Sequence, residues 1–134
     1  LITLIKLNAI ITLATGRPYE IALISIICAH SLSRFSIIVI PYFSIPASDE
    51  GLARYAGIPE TRGIIGGLLL TSILIFLLLP FEQATTSAVL ATLVAGVIGL
   101  LANFQIKGYT GDILGAAQQV SEATVLVYLA SSCS

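Results

Sequence analysis

Methionine and tryptophan are missing from the 134 residues, and only one histidine and two cysteines occur. Charge is also scarce, with six basic and seven acidic residues leaving a net charge of -1. So near-neutral a chain has no basic surface for a nucleic-acid partner and no polybasic anchor for anionic lipid. Cys28 lies inside an apolar run and Cys133 is next to last, so neither a disulfide framework nor a cysteine metal pair is expected. A secretory signal peptide would need a basic start and a small-residue cleavage site, and the sequence has neither. The opening LITLIKLNAIITLAT is already apolar and lacks a methionine at position 1. The chain is therefore expected to be the carboxyl-terminal part of a longer protein.

What it has in abundance is apolar residue, 57% of the chain with a mean hydropathy of +1.02. A soluble domain runs at about 45–50% apolar with about 25% charged, so this chain belongs in lipid. Five apolar stretches stand out, near 1–15, 20–44, 63–80, 86–106 and 112–131. As helices, Gly63–Leu79 would reach about 26 Å and Thr86–Ile106 about 32 Å, which suits a hydrocarbon core of about 30 Å. Barrel strands would be shorter and would alternate polar with apolar residues, and these do not. The expected fold is all-α, a polytopic transmembrane bundle of about five segments forming one membrane-embedded domain. TGRPYE, the long stretch SIPASDEGLARYAGIPETRG, PFEQATT and KGYTGD read as the links, with Pro80 stopping a helix and Gly108 and Gly111 easing the last turn. Alternate links share a side, and the second and fourth carry Arg54, Arg62 and Lys107 against Arg17 alone opposite. The positive-inside rule then faces those two links to the cytoplasm.

Small residues at four-residue spacing, Gly63 with Gly67, Ala91 with Ala95 and Gly99, and Gly111 with Gly115, predict close helix packing. The costly residues are more informative. His30 and Arg34 lie one turn apart within IALISIICAHSLSRFSIIVIPYF. An arginine at mid-bilayer costs about 2.5–3.5 kcal/mol on insertion scales and so faces protein, water or the interface. Arg34 either pairs with a carboxylate to hold the bundle or contacts a phosphate. His30 alone, without a second metal ligand at suitable spacing, reads as a hydrogen-bonded core residue.

If a helix begins with Asp112 as its cap, then Asp112, Gly115, Ala116, Gln119, Glu122 and Ala123 share one stripe. Asp112 and Glu122 would stand about 15 Å apart along the axis and could not share one ion. In KGYTGD, glycine-freed amides at a helix start suit phosphate oxygens, while Thr110 and Asp112 suit a hard cation such as Mg²⁺. An ordinary capped turn would use the same residues. The SDEGLARY stretch fails as a CDP-alcohol phosphotransferase signature, because Gly51 and Arg54 are one residue too close and no aspartate follows before Asp112.

GYTGDILGAAQQVSE resembles the carboxyl-terminal signature of the cobalamin-5′-phosphate synthase family, the adenosylcobinamide-GDP ribazoletransferases. SLSR (31–34) and EGLARY (50–55) follow the order of that family's middle region. The resemblance implies a membrane-bound, Mg²⁺-dependent transfer in which α-ribazole or its 5′-phosphate attacks adenosylcobinamide-GDP and GMP leaves. It implies Asp112 as metal ligand with Thr110 in support, Gly108 and Gly111 allowing close phosphate approach, and Arg34 with Lys107 neutralising phosphate charge. Glu122 and Glu50 would serve as supporting partner and loop contact. The family's aspartate-rich D-G-L-A-D-x-x-D-G motif has no counterpart here and is expected upstream of Leu1, so residues 1–134 alone are expected to be inactive. The lipid bilayer is the implied partner besides the substrates, and homo-oligomerisation is left open. A transporter or channel component with a polar midplane site is the alternative reading.

Overall fold

The computed structural model describes residues 1–15, 18–47 and 60–132. Five helices follow one another: α1 Ile2–Ala14, α2 Tyr19–Phe43, α3 Thr61–Leu78, α4 Phe81–Ile106 and α5 Gly111–Ser132. Four of them, α2 to α5, are long and apolar enough to cross a membrane. The 13 residues of α1 reach only about 20 Å, short of a full span. The expected all-α polytopic bundle is what forms.

The helix starts follow from local chemistry, and that of α4 differs most from expectation. α4 begins at Phe81, five residues before the predicted Thr86. Pro80 follows the end of α3 as expected but also occupies the N-cap of α4, where its missing N–H is no loss, and its carbonyl accepts from Ala84 N–H at 2.9 Å. Glu82 sits in the first turn, where a negative charge meets the positive end of the helix dipole. The α3–α4 connection is therefore only Leu79 and Pro80. In α2 the helix continues two residues beyond Pro41 to Phe43.

α5 is the hub, packing against α1, α2 and α4. Its inward stripe, Ala117, Ser121, Val125, Leu126 and Leu129, is fully buried. The main core joins it to Leu13 of α1, Cys28, Ala29 and Leu32 of α2, Ile75 of α3, and Ala84 and Ala91 of α4. A smaller cluster of Ile40, Tyr109 and Ala117 closes the opposite end. The alanine spacing in α4 acts as predicted: Ala91 and Ala95 are buried, and a Cβ on Gly99 would meet Ile40 at 3.5 Å. Gly67 likewise faces the Ile38 side chain at 3.8 Å, whereas Gly63, Gly111 and Gly115 have open space where a Cβ would stand.

Two links meet at that smaller cluster. Tyr109 N–H donates to Ile45 O at 3.0 Å and Ala47 N–H donates to Tyr109 O at 2.9 Å, an isolated parallel bridge centred on Pro46. The end of α2 and the start of α5 thus lie at one end of the bundle, and the two helices run in opposite directions.

Candidate functional site

Polar side chains gather at two levels of this antiparallel pair. The first is the mouth, residues 107–112. α4 ends with Lys107 at φ 55°, the single described non-glycine residue at positive φ, and Lys107 N–H donates to Asn103 O at 3.1 Å. Asn103 also accepts from Ser44 Oγ at 3.0 Å, a second tie between the two links. The left-handed turn expected of a glycine is therefore taken by Lys107, while Gly108 and Gly111 have no such φ. Gly108 is needed for a different reason. A Cβ there would stand 2.4 Å from Ile45 O and 2.9 Å from the Ala47 backbone, so the space on its open side belongs to residues 45–47.

Helix α5 is capped by Thr110, not by Asp112 as expected: Thr110 Oγ1 accepts from Ile113 N–H at 3.4 Å, and Thr110 O accepts from Leu114 N–H at 3.1 Å. Threonine takes the cap because its hydroxyl sits one residue before the first helical position, three residues from the N–H it accepts. This frees Asp112, which lies exposed in the first turn and makes no hydrogen bond or ion pair among the described residues. Lys107 and Gly111 are exposed beside it. Glu50 and Arg54, and Arg17 of the first link, lie outside the described residues.

The second level is mid-span. Glu122 is not free: its Oε2 lies 3.1 Å from Lys6 Nζ and 3.6 Å from His30 Nδ1. Lys6 Nζ also donates to Gln119 Oε1. On the far side of the imidazole, Arg34 Nε and Nη2 both lie 3.4 Å from His30 Nε2. Lys6, His30, Arg34, Gln119 and Glu122 thus form one chain across α1, α2 and α5. The Lys6 and Glu122 side chains are each 14% exposed, whereas His30 is 49% exposed and Arg34 is exposed. No carboxylate lies within ion-pair distance of Arg34 among the described residues. A guanidinium at this depth costs about 2.5–3.5 kcal/mol against lipid, so this flank of the bundle meets protein or water.

The predicted stripe of α5 is therefore real, but it joins two levels. Asp112, Gly115, Ala116 and Gln119 are exposed along it, while Glu122 is half-buried and Ala123 buried. Along the axis Arg34 stands about 13 Å from the α2 terminus at Phe43, and Glu122 about 15 Å from Asp112. Sequence reasoning located Arg34, Glu122 and Asp112 but missed Lys6 as the partner of Glu122. The available signal was a lysine inside an apolar helix, which in lipid requires a counter-charge.

Among the described residues no three His, Cys, Asp or Glu side chains converge as a ready metal cage. The donors at the mouth are one free carboxylate and one hydroxyl. That set fits Mg²⁺, which keeps several waters and commonly binds one or two carboxylates together with substrate phosphates.

A family model for cobalamin-5-phosphate synthase matches residues 1–130. Among curated proteins, the adenosylcobinamide-GDP ribazoletransferase of Bradyrhizobium diazoefficiens is 30% identical over 118 residues, covering 88% of this chain and 45% of that protein. The one from Mesorhizobium japonicum is 36% identical over 106 residues, 79% of this chain and 40% of that protein. The one from Shewanella pealeana is 34% identical over 128 residues, 94% of this chain and 49% of that protein. The chain spans about half the length of these curated relatives. No solved structure matches.

Proposed function

Since the chain belongs to the cobalamin-5-phosphate synthase family, we propose that it supplies one part of a membrane-embedded ribazoletransferase site. In the proposed reaction the hydroxyl oxygen of α-ribazole, or of its 5′-phosphate, bonds to the cobinamide-side phosphorus of adenosylcobinamide-GDP. The bond from that phosphorus to the GMP oxygen breaks, GMP leaves, and the hydroxyl proton passes to solvent. The relatives named above are transferases, and the transporter alternative is set aside.

The observation that carries this reading is Asp112, an exposed carboxylate with no partner among the described residues, held in the first turn of a membrane helix whose cap is another residue. A carboxylate spent on capping or on an ion pair would have less to offer a cation. Asp112 with Thr110 would hold Mg²⁺, which when bound would neutralise the diphosphate and stabilise the departing GMP. Gly111, with open space around it, leaves room for phosphate oxygens at the start of α5, where helix N–H groups favour anions. Lys107 and Arg34 contribute positive charge at the mouth and deeper along the stripe. Phosphoryl transfer asks chiefly for positioning and charge neutralisation, which this inventory can supply. Facing the mouth to the cytoplasm agrees with Arg62 and Lys107 at this end of the bundle.

The test uses the complete protein in liposomes with adenosylcobinamide-GDP, α-ribazole and Mg²⁺, reading GMP release. Asp112→Asn is expected to lower the rate at least a hundredfold, as loss of one preorganised charge contact commonly does. Equal rates in parent and variant would remove Asp112 from the site.

A further inference from the structure

The mid-span chain does more than neutralise itself. A guanidinium has only donors, so the two Arg34 nitrogens at 3.4 Å from His30 Nε2 require that ring nitrogen to present its lone pair. The ring proton then sits on Nδ1, the nitrogen turned toward Glu122 Oε2 at 3.6 Å. An imidazolium would have no acceptor to offer Arg34 and would add a second uncompensated charge. With His30 neutral, Lys6, Arg34 and Glu122 already leave the cluster at +1. Glu122 is itself fixed by Lys6 at 3.1 Å, and Lys6 by Gln119. The order of contacts runs from the enclosed pair outward to the exposed cation.

We propose that His30 is a positioning residue for Arg34, its Nε2 edge against the guanidinium and its Nδ1 edge turned toward the Glu122 carboxylate, which Lys6 in turn holds in place. This rests on the reading of Arg34 as a phosphate-binding group. An arginine has many rotamers, and an imidazole one turn earlier on the same face limits them by touching both Nε and Nη2. Arg34 lies one turn nearer the mouth than His30, so the side chain being steadied is the one closer to Asp112. The three-helix origin of the chain also explains why a lysine and a glutamate persist at a depth where each alone would be costly: together they define the orientation of a third group.

Two measurements on the complete protein in liposomes test this. The first is kinetic. His30→Leu is expected to raise KM for adenosylcobinamide-GDP about tenfold, with a smaller change in kcat. His30→Gln, whose amide can present an oxygen to Arg34, should recover most of the loss. In an Arg34→Ala background, itself impaired, His30→Leu should have no further effect. Additive losses, or a His30→Leu variant equal to the parent beside an impaired Arg34→Ala, would overturn the proposal while leaving the transfer reaction intact. A parent that releases no GMP would instead sink the functional reading. The second measurement does not depend on turnover. The His30 imidazole signal, identified by its absence from a His30→Gln sample, should show a protonated Nδ1 and a bare Nε2 in ¹⁵N solid-state spectra. Glu122→Gln should shift the Nδ1 resonance. The opposite tautomer or an imidazolium in the parent would overturn the proposal.

Discussion

Helices α3 and α5 cross the bundle with similar lengths, 18 and 22 residues, yet their surroundings are opposite. α3 is the more apolar, rich in leucine and isoleucine, and within it Ile75 alone is fully buried. α5 carries alanines, glycines, glutamines, serines, an aspartate and a glutamate, and it is the helix around which the others pack. In water the more apolar helix would be the inner one. In lipid an exposed leucine loses nothing by facing acyl chains, while small residues allow close backbone approach and polar ones seek partners. Here, therefore, lower hydropathy marks the protein-facing helix.

The comparison is broken most directly by unpairing α5. Lys6→Leu leaves Glu122 without its cation at a side-chain exposure of 14%. It is expected to destabilise by about 3–5 kcal/mol, the usual consequence of stranding one partner of a buried pair. The double change Lys6→Leu with Glu122→Leu should be milder than either single change, because no charge is left stranded. Unfolding midpoints of the complete protein in mixed detergent would measure both. Were Lys6→Leu to equal the parent in stability, the pair would be a surface contact and α5 no hub of polar packing.

A smaller effect is expected at the end where α5 begins. A methyl group at Gly108 would collide with the Ile45 carbonyl at 2.4 Å and the Ala47 backbone at 2.9 Å, and backbone cannot rotate aside as a side chain can. Gly108→Ala should therefore cost about 1–3 kcal/mol as an overpacking change and loosen the tie between the α2 and α5 ends. Protease sensitivity near residue 47 would report it. Gly111→Ala, with nothing within 4 Å of the new methyl, should be stable, so the two glycines of one motif separate cleanly into packing and open space.

Much of this was legible in the sequence, for identifiable reasons. Apolar runs long enough to span a bilayer fixed the number and rough limits of the helices, because backbone satisfaction in lipid leaves few alternatives. The family was legible in one short block around Asp112. The start of α4 was misjudged because Pro80 both follows the end of α3 and caps α4, so residues 81–85, read as a link, already belong to the helix. Thr110 took the cap expected of Asp112 because both residue types cap helices and the sequence does not say which backbone turn comes first. The Lys6–Glu122 pair was illegible for a deeper reason. The residues are 116 positions apart, and their meeting depends on α1 packing against α5, which no local pattern encodes.

The smallest expected effect belongs to the outer face of α3. Leu77 is 79% exposed, and in the bilayer its side chain exchanges one hydrocarbon neighbour for another on unfolding. Leu77→Ala should shift stability by no more than about 0.5 kcal/mol. Leu129→Ala on α5, where the leucine is fully buried, opens a cavity between helices and should cost about 2–5 kcal/mol. The same chemical change thus gives two different results according to which helix carries it. If Leu77→Ala proved as costly as Leu129→Ala, the outer face of α3 would have to be packed against protein, and the contrast between a lipid-facing helix and a protein-facing one would fail at its simpler end.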